Sequence, residues 1–182
     1  GDWSSDVCSS DLNVTSFESG SNHGYITLEV SNTSLTFTEV TTSNTVTDPE
    51  GHVFPFGQIG FKLNTNGPVT VRIYFHNATS LEGLVYRKYG KTPPYTGSDG
   101  WFTFNNVVYG TETIGGKTVA YADLTLENDK IGDVTGEDGV IIDPGGPGSP
   151  GGIPTMTEWA AIIMGGLLAA LGAWFIIRRR FV

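Results

Sequence analysis

Acidic side chains are concentrated between residues 129 and 143, and their carboxylates are the groups best suited to chemistry in this chain. The members are Asp129, Asp133, Glu137, Asp138 and Asp143. Hard oxygen ligands clustered on a loop could hold Ca²⁺, which is plentiful outside cells. The spacing departs from the D-x-[DN]-x-[DN]-G calcium loop, because Ile131 stands where a second oxygen ligand is needed and Lys130 adds a repelling charge. The sequence therefore leaves two interpretations open, a calcium site and a solvated acidic loop.

Residue patterns of other common active sites do not occur in the sequence. His23, His52 and His76 are far apart and form no H-x-x-x-H or H-E-x-x-H pair that could hold zinc. There is no G-x-S-x-G elbow and no phosphate-binding glycine loop. A sheet could bring two carboxylates together for glycoside hydrolysis, but nothing in the sequence singles out such a pair. We therefore predict that the chain is not an enzyme and needs no cofactor apart from the calcium ion considered above.

The charge balance restricts the partners of the protein. Asp and Glu number 19 against 10 Lys and Arg, which gives a net charge of −9. Nucleic-acid phosphates demand a basic surface, so we expect no nucleic-acid partner. The same acidity disfavours peripheral binding to anionic lipid.

The elements that must position these residues are predicted to be strands. Thr, Ser, Asn and Gly are abundant, and β-branched and aromatic residues alternate with polar ones, which predicts an all-β fold with an antiparallel β-sandwich over residues 46–143. Expected strands lie at Val53–Leu63 (with a bend at Pro55 and Gly57), Val69–Phe75, Trp101–Phe104, Val119–Leu126 and Val140–Ile142. Within residues 13–45, Tyr25–Val30 and Leu35–Val40 predict a β-hairpin or the end of an upstream region. Tyr74, Tyr95 and Tyr109 could stack on sugars or fill the inner faces of the sandwich.

An uncharged apolar segment runs from Ala160 to Ile177 and is followed by Arg178, Arg179 and Arg180. About 18 residues at about 1.5 Å of rise per residue give roughly 27 Å, close to the thickness of a bilayer hydrocarbon core. Flanks rich in Lys and Arg resist translocation, so the arginines are expected in the cytoplasm. The pattern predicts a single-pass transmembrane helix over 160–177 in inner-membrane lipid, with everything before residue 153 outside the cytoplasm.

Residues 144–152 read PGGPGSPGG. Proline and glycine at this density disfavour both a helix and a strand ladder. We therefore predict a linker that spaces the sandwich from the membrane.

The segment leading into the apolar stretch resembles the IPTL-CTERM protein-sorting signal of Gram-negative bacteria. The matching residues are Ile153, Pro154, Thr155 and Met156, then Trp159, the apolar segment and the arginines. Met156 stands where leucine is usual, and the two side chains are similar in volume and hydrophobicity. The resemblance implies an exported protein of the cell envelope or surface, whose residues 153–182 are the substrate of a membrane-embedded sorting or processing enzyme. An ordinary anchor that is never cleaved is the alternative.

Residues from roughly Val46 to Gly148 resemble a second family, the choice-of-anchor U domain of extracellular bacterial proteins. The resemblance rests on Phe54-Pro55-Phe56-Gly57, Tyr86-Arg87-Lys88-Tyr89-Gly90, Gly100-Trp101-Phe102 and the stretch from Asp138 to Pro147. It implies an extracellular β-module and assigns no activity. We expect Tyr89 and Trp101 in the core, and Gly90 and Gly100 in turns.

Residues 1–12, GDWSSDVCSSDL, resemble the in-frame translation of a common sequencing-library adapter and are not expected to belong to the fold. Cys8, the single cysteine, lies in this segment, so we expect no disulfide or thiol chemistry. A signal peptide is expected in a region upstream of the sequence.

Together these features predict a non-enzymatic module of an exported bacterial protein, attached through its tail. Two alternatives stay open. The domain could be an adhesin that binds calcium or carbohydrate, or the appendage of a secreted hydrolase whose catalytic part lies upstream.

Overall fold

The computed structural model describes residues 13–21, 23–43, 47–134, 137 and 139–150, and these form an all-β structure. The strands are β1 Val14–Glu18, β2 Tyr25–Val30, β3 Phe37–Ser43, β4 Gln58–Asn64, β5 Val69–Phe75, β6 Val85–Gly90, β7 Gly100–Thr103, β8 Val107–Ile114, β9 Lys117–Leu126 and β10 Val140–Gly148. In this described part of the chain, no helix has the length and apolar character needed to cross a bilayer. The predicted helix over 160–177 and the adapter-like residues 1–12 lie outside the described residues.

The strands form two five-stranded antiparallel sheets. Sheet A has the order β1-β2-β5-β9-β8, and sheet B has the order β3-β4-β10-β6-β7. Buried side chains from both sheets belong to a single hydrophobic cluster, so the sheets share one core. The prediction of an all-β, antiparallel fold is confirmed.

The period-two alternation of the sequence explains which side chains enter the core. Ile26, Leu28 and Val30 of β2 are buried, while the residues between them are only half-buried. Strand β5 follows the same pattern with Val69, Val71 and Ile73. Each such side chain contributes roughly 1.5–3 kcal/mol of transfer free energy when it leaves water.

The predicted pairing of Tyr25–Val30 with Leu35–Val40 is wrong, and the antiparallel pair of consecutive strands within residues 13–45 is instead β1 with β2. Strand β2 pairs with β1 and β5 in sheet A, whereas β3 pairs with β4 in sheet B. Both strands alternate, but alternation identifies a strand without identifying its neighbour. Residues 31–36 therefore cross from one sheet to the other, and β1, β2 and β3 are part of the same two sheets as the other strands.

The prediction of a linker beginning at Pro144 is also wrong, because Pro144–Gly148 complete β10 in the middle of sheet B. Strand β10 pairs with β4 over residues 140–145 and with β6 over residues 145–148. Pro144 and Pro147 therefore each have a ladder partner on one side only, where a missing N–H is tolerated. A Cβ on Gly145 would collide with the carbonyl oxygen of Arg87, so glycine permits the close approach of β6.

Candidate functional site

Strand β6 places two consecutive cations on opposite faces of sheet B. Side chains alternate along a strand, so Lys88 enters the core with Tyr86, and Arg87 lies on the outer face with Tyr89. Both cations are nonetheless buried, with 0% of Lys88 and 2% of Arg87 exposed. A buried charge needs a partner of opposite charge. Each of the two cations of β6 has its own partner on its own face of the sheet.

On the core face, the ammonium of Lys88 lies 2.8 Å from Oδ2 of Asp143 on β10, and both side chains are fully buried. Lys88 also donates a hydrogen bond of 2.7 Å to the carbonyl oxygen of Gly132. Its Nζ atom lies 4.2 Å from the centroid of the Phe104 ring, a cation–π distance. The ammonium is thus enclosed by a carboxylate, a carbonyl and an aromatic ring.

Burial acts on the ionisation of both partners. It lowers the pKa of Lys88, although the charges of Asp143 and Asp133 oppose the shift. It raises the pKa of Asp143, although the charge of Lys88 opposes the shift. Both shifts favour the uncharged forms, an amine and a carboxylic acid. Burial also raises the pKa of the neighbouring Tyr86 hydroxyl well above its usual value.

The described residues of the predicted calcium site have different surroundings. Asp143 is paired with Lys88, and Asp133, also buried, accepts a hydrogen bond of 3.1 Å from the backbone N–H of Asp129. Glu137 is exposed and Asp138 lies outside the described residues. Among the residues that the structure describes, no three His, Cys, Asp or Glu side chains meet in a group that could hold a metal ion. The ammonium of Lys88 is the cation that Asp143 contacts.

On the outer face, Arg87 is held by the segment that precedes β4. Its Nε and Nη2 donate to the two carboxylate oxygens of Asp48 over 2.8 and 3.3 Å, and Asp48 is itself fully buried. Nη1 donates to Thr103 over 2.8 Å, and Glu50 lies 3.0 Å from Nη2. Burial favours the neutral acid of Asp48, but hydrogen bonds from Arg87 and the Glu50 N–H, with the charge of Arg87, hold its pKa below the ordinary value.

The same face carries a groove, which we call the aromatic groove. Its lining includes Thr41, Ser43, Gln58, Tyr89, Trp101 and Pro144, and its volume is about 120 Å³. The rings of Tyr89 and Trp101 lie 5.5 Å apart, and Phe54 packs 5.1 Å from the other side of Trp101. Gly60 and Pro144, which are paired across β4 and β10, also line the groove.

This groove corrects the prediction that Tyr89 and Trp101 are core residues. Tyr89 is 37% exposed and Trp101 is half-buried, because both share the outward parity of Arg87. Gly90 and Gly100 are paired with each other at the ends of β6 and β7 and do not form the predicted turns. An aromatic residue alternating with polar ones indicates one face of a strand, but not which face is buried.

The sorting segment follows this module in the chain. The chain divides into two compact units, Gly1–Pro150 and Gly151–Val182, and the second unit lies outside the described residues. A family model for the IPTL-CTERM motif matches residues 152–181. The match contains Ile153, Pro154, Thr155, Met156, Trp159 and Arg178–Arg180. No curated protein and no solved structure matches the chain. The chain therefore carries the C-terminal sorting signal of an exported protein, and the choice-of-anchor U resemblance stays a prediction.

Arg87 and Lys88 belong to the choice-of-anchor U resemblance, but the sequence assigned them no role. A signal was present, because two adjacent cations in a strand cannot both face solvent when one face is covered. One of them had to enter the core and find a carboxylate there. The sequence did not show that Asp143 lies on the strand next to Lys88, two residues from Gly145, the ladder partner of Lys88.

Proposed function

We propose that this chain is a non-enzymatic, membrane-anchored module of an exported bacterial protein, whose sandwich is presented outside the cytoplasm. The match of residues 152–181 to the IPTL-CTERM motif carries this proposal. The apolar segment 160–177 is the proposed membrane anchor, and Arg178–Arg180 keep its end in the cytoplasm. Residues 153–156 and Trp159 are the proposed recognition site of a membrane-embedded processing enzyme.

Three features of the described residues support a presenting role. The sandwich has a single core, the two cations buried on β6 are both paired, and the net charge of the chain is negative. The aromatic groove lies on the outer face of sheet B. These features suit a rigid extracellular module more than a catalytic cleft.

Topology can be tested with an epitope inserted between Gly115 and Gly116, at the tip of the β8–β9 hairpin. The full chain is exported behind a signal peptide, and intact spheroplasts are treated with protease. We expect the epitope to be digested from outside. Replacing the three arginines by glutamate should reduce this digestion, whereas replacing them by lysine should not, because orientation depends on positive charge. An epitope protected in spheroplasts of the unaltered protein would contradict the proposal.

Processing can be tested by mass spectrometry of the mature C-terminus. We expect the apolar segment to anchor the newly exported chain until the processing enzyme of the native host cleaves it, which leaves a terminus within or just after residues 153–159. Pro154→Ala should restore the full-length tail, while Thr157→Ala serves as the control, because Thr157 is not one of the proposed recognition residues 153–156 and Trp159. An intact terminal peptide containing Arg180 in the unaltered protein would show that the tail is an uncleaved anchor.

The aromatic groove favours a second candidate function, carbohydrate binding by an adhesin. Tyr89 and Trp101 present ring surface beside the hydroxyl- and amide-bearing Thr41, Ser43 and Gln58, and sugars are bound by such combinations of stacking and hydrogen bonding. A glycan array of the exported chain, with and without calcium, tests this function.

We expect Trp101→Ala or Tyr89→Ala to weaken binding of any glycan found by about tenfold, the equivalent of about 1.4 kcal/mol. Tyr25→Ala is the matched control, because Tyr25 is 56% exposed on sheet A. Binding that needs calcium and ignores both groove variants would favour the calcium alternative. An array without signals would remove the adhesin candidate.

A further inference from the structure

The pair formed by Lys88 and Asp143 is an unusual way to fill a core. Both side chains are completely buried, and they come from adjacent strands of sheet B. Gly145 pairs with Lys88 in the ladder, so Asp143 lies two residues along β10 and on the same core face. The amine and the carboxyl group are therefore diagonal neighbours held by backbone hydrogen bonds on both strands.

The contact between the two groups is close without being a good hydrogen bond. Nζ of Lys88 and Oδ2 of Asp143 are 2.8 Å apart. Within the part of the chain that the structure describes, however, neither carboxylate oxygen of Asp143 has a partner with hydrogen-bond geometry. The two groups are therefore in contact without satisfying the hydrogen-bonding capacity of the carboxyl group. An ion pair with unsatisfied oxygens gains little against the cost of removing two charges from water.

The surroundings are those of a site for a reaction between uncharged groups. Phe104 covers the amine, and the Tyr86 hydroxyl, which has no hydrogen-bond partner among the described residues, is buried in the same region. Burial lowers the pKa of Lys88 and raises that of Asp143, so proton transfer from ammonium to carboxylate is made easier. A third carboxyl group, that of Asp133, is also fully buried and acts electrostatically on Lys88.

We propose that Lys88 and Asp143 condense to form an intramolecular amide that links β6 to β10 covalently. The lone pair of Nζ attacks Cγ of the protonated Asp143 side chain, and an Nζ–Cγ bond forms. A Cγ–O bond then breaks, and the leaving oxygen departs as water with one proton from the carboxylic acid and one from the amine. Nothing is oxidised or reduced, and no co-reactant is needed.

Two physical effects drive this condensation in the folded protein. Holding both groups at contact distance replaces a bimolecular encounter by an intramolecular step, which is worth many orders of magnitude in rate. The dry core disfavours the reverse attack by water. Asp133 is the proposed proton carrier, because its buried carboxyl can accept the proton of the amine and return it to the leaving oxygen. Gly132 positions the amine through its carbonyl oxygen.

Mass spectrometry of the full chain, purified in detergent from whole cells, tests the proposal. We expect tryptic digestion of the unaltered protein to yield a branched peptide joining Lys88 to Asp143, about 18 Da lighter than the sum of its parts, the loss of one water in nucleophilic acyl substitution. Lys62→Arg, on the outer face of β4, should keep the branched peptide, and Lys88→Arg should abolish it. This readout is independent of where the chain is located, so it separates this proposal from the proposed function.

Two further variants distinguish a reacting pair from a structural ion pair. Asp143→Asn should still form the same amide, with ammonia as the leaving molecule, whereas Asp143→Ala should not. Asp133→Asn should slow formation by about a hundredfold in a time course after pulsed synthesis. A folded, unaltered protein from which Lys88 is recovered as an unmodified lysine would overturn the proposal.

Discussion

Adjacent cations in one strand have acquired two different environments in this protein. Arg87 pairs with Asp48 on the outer face of sheet B, and Lys88 pairs with Asp143 in the core. The planar guanidinium suits the first position, because it donates to both oxygens of one carboxylate and to Thr103 at the same time. The compact amine of lysine suits the second position, where it contacts Asp143 and is covered by the ring of Phe104.

The contribution of the Arg87–Asp48 pair to stability can be measured by removing Asp48. We expect Asp48→Ala to lower the free energy of unfolding by about 3–5 kcal/mol, because the buried guanidinium of Arg87 would lose its buried carboxylate and keep only the exposed Glu50 as a charged partner. Glu50→Gln is the control, since Glu50 contacts the same guanidinium but is 58% exposed, and such pairs contribute about 0–1 kcal/mol. Urea unfolding of the three proteins checks this. Equal losses for both variants would contradict the assignment.

The same pair predicts an acid sensitivity. The pKa of Asp48 in the folded state lies below its ordinary value of 3.8, so its contribution is complete above that pH and is lost as pH falls through the folded-state pKa. The difference in unfolding free energy between the unaltered protein and Asp48→Asn should therefore shrink as pH falls below about 4. Urea midpoints measured between neutral pH and strong acid test this. A difference that stays constant into strong acid would show that the carboxylate charge is irrelevant.

At the scale of elements, β10 shows how a proline- and glycine-rich segment becomes a central strand. Its prolines stand where only one neighbour is paired, and its glycines allow β6 and the segment before β4 to approach closely. Glycine usually weakens a strand, but the close packing of β10 against its neighbours requires glycine.

Gly145→Ala tests this account of β10. The added methyl would collide with the Arg87 carbonyl oxygen and press on Lys88 and Tyr86, and we expect a loss of about 1–3 kcal/mol from the strain. Gly97→Ala is the control, because a Cβ there meets nothing within 4 Å. Thermal unfolding of both variants gives the comparison. A Gly145→Ala protein as stable as the control would mean that β10 and β6 are not this closely packed.

At the scale of the whole molecule, the chain divides into a sandwich unit that ends at Pro150 and a unit that carries the sorting signal. Val53 and Ser149 exchange backbone hydrogen bonds, so the sandwich is closed just before the division. The two units are therefore expected to be separable without loss of the fold.

A stop codon after Pro150 tests that separation. We expect the exported, shortened chain to leave the membrane fraction and to keep the far-UV spectrum and unfolding midpoint of the sandwich, because the apolar segment is the proposed anchor. Stopping after Gly139, which removes β10, is the control that should prevent folding. A chain ending at Pro150 that still sediments with membranes would show that the sandwich itself binds them.

Much of this architecture was readable from local patterns. Alternation identified most strands, such as Val69–Phe75 and Val119–Leu126, because the side-chain period of a strand is visible along the chain. The turn between β8 and β9 is also local, since Gly115 and Gly116 both adopt a positive φ, which glycine tolerates. The sorting signal was identified from residues 153–180 because it is a contiguous motif that needs no tertiary partner.

Tertiary structure alone decided which strands are neighbours and which faces are covered. Pairing is set by contacts between distant residues, so β2 and β3 went to different sheets although only a short segment separates them. Burial of one face turned Tyr89 and Trp101 outward and Lys88 inward, and it made Asp143 the partner of an amine, a role that spacing within the acidic stretch could not reveal. Sequence determines local periodicity and contiguous signals, whereas the chemistry of this core depends on two groups brought together from residues far apart in the chain.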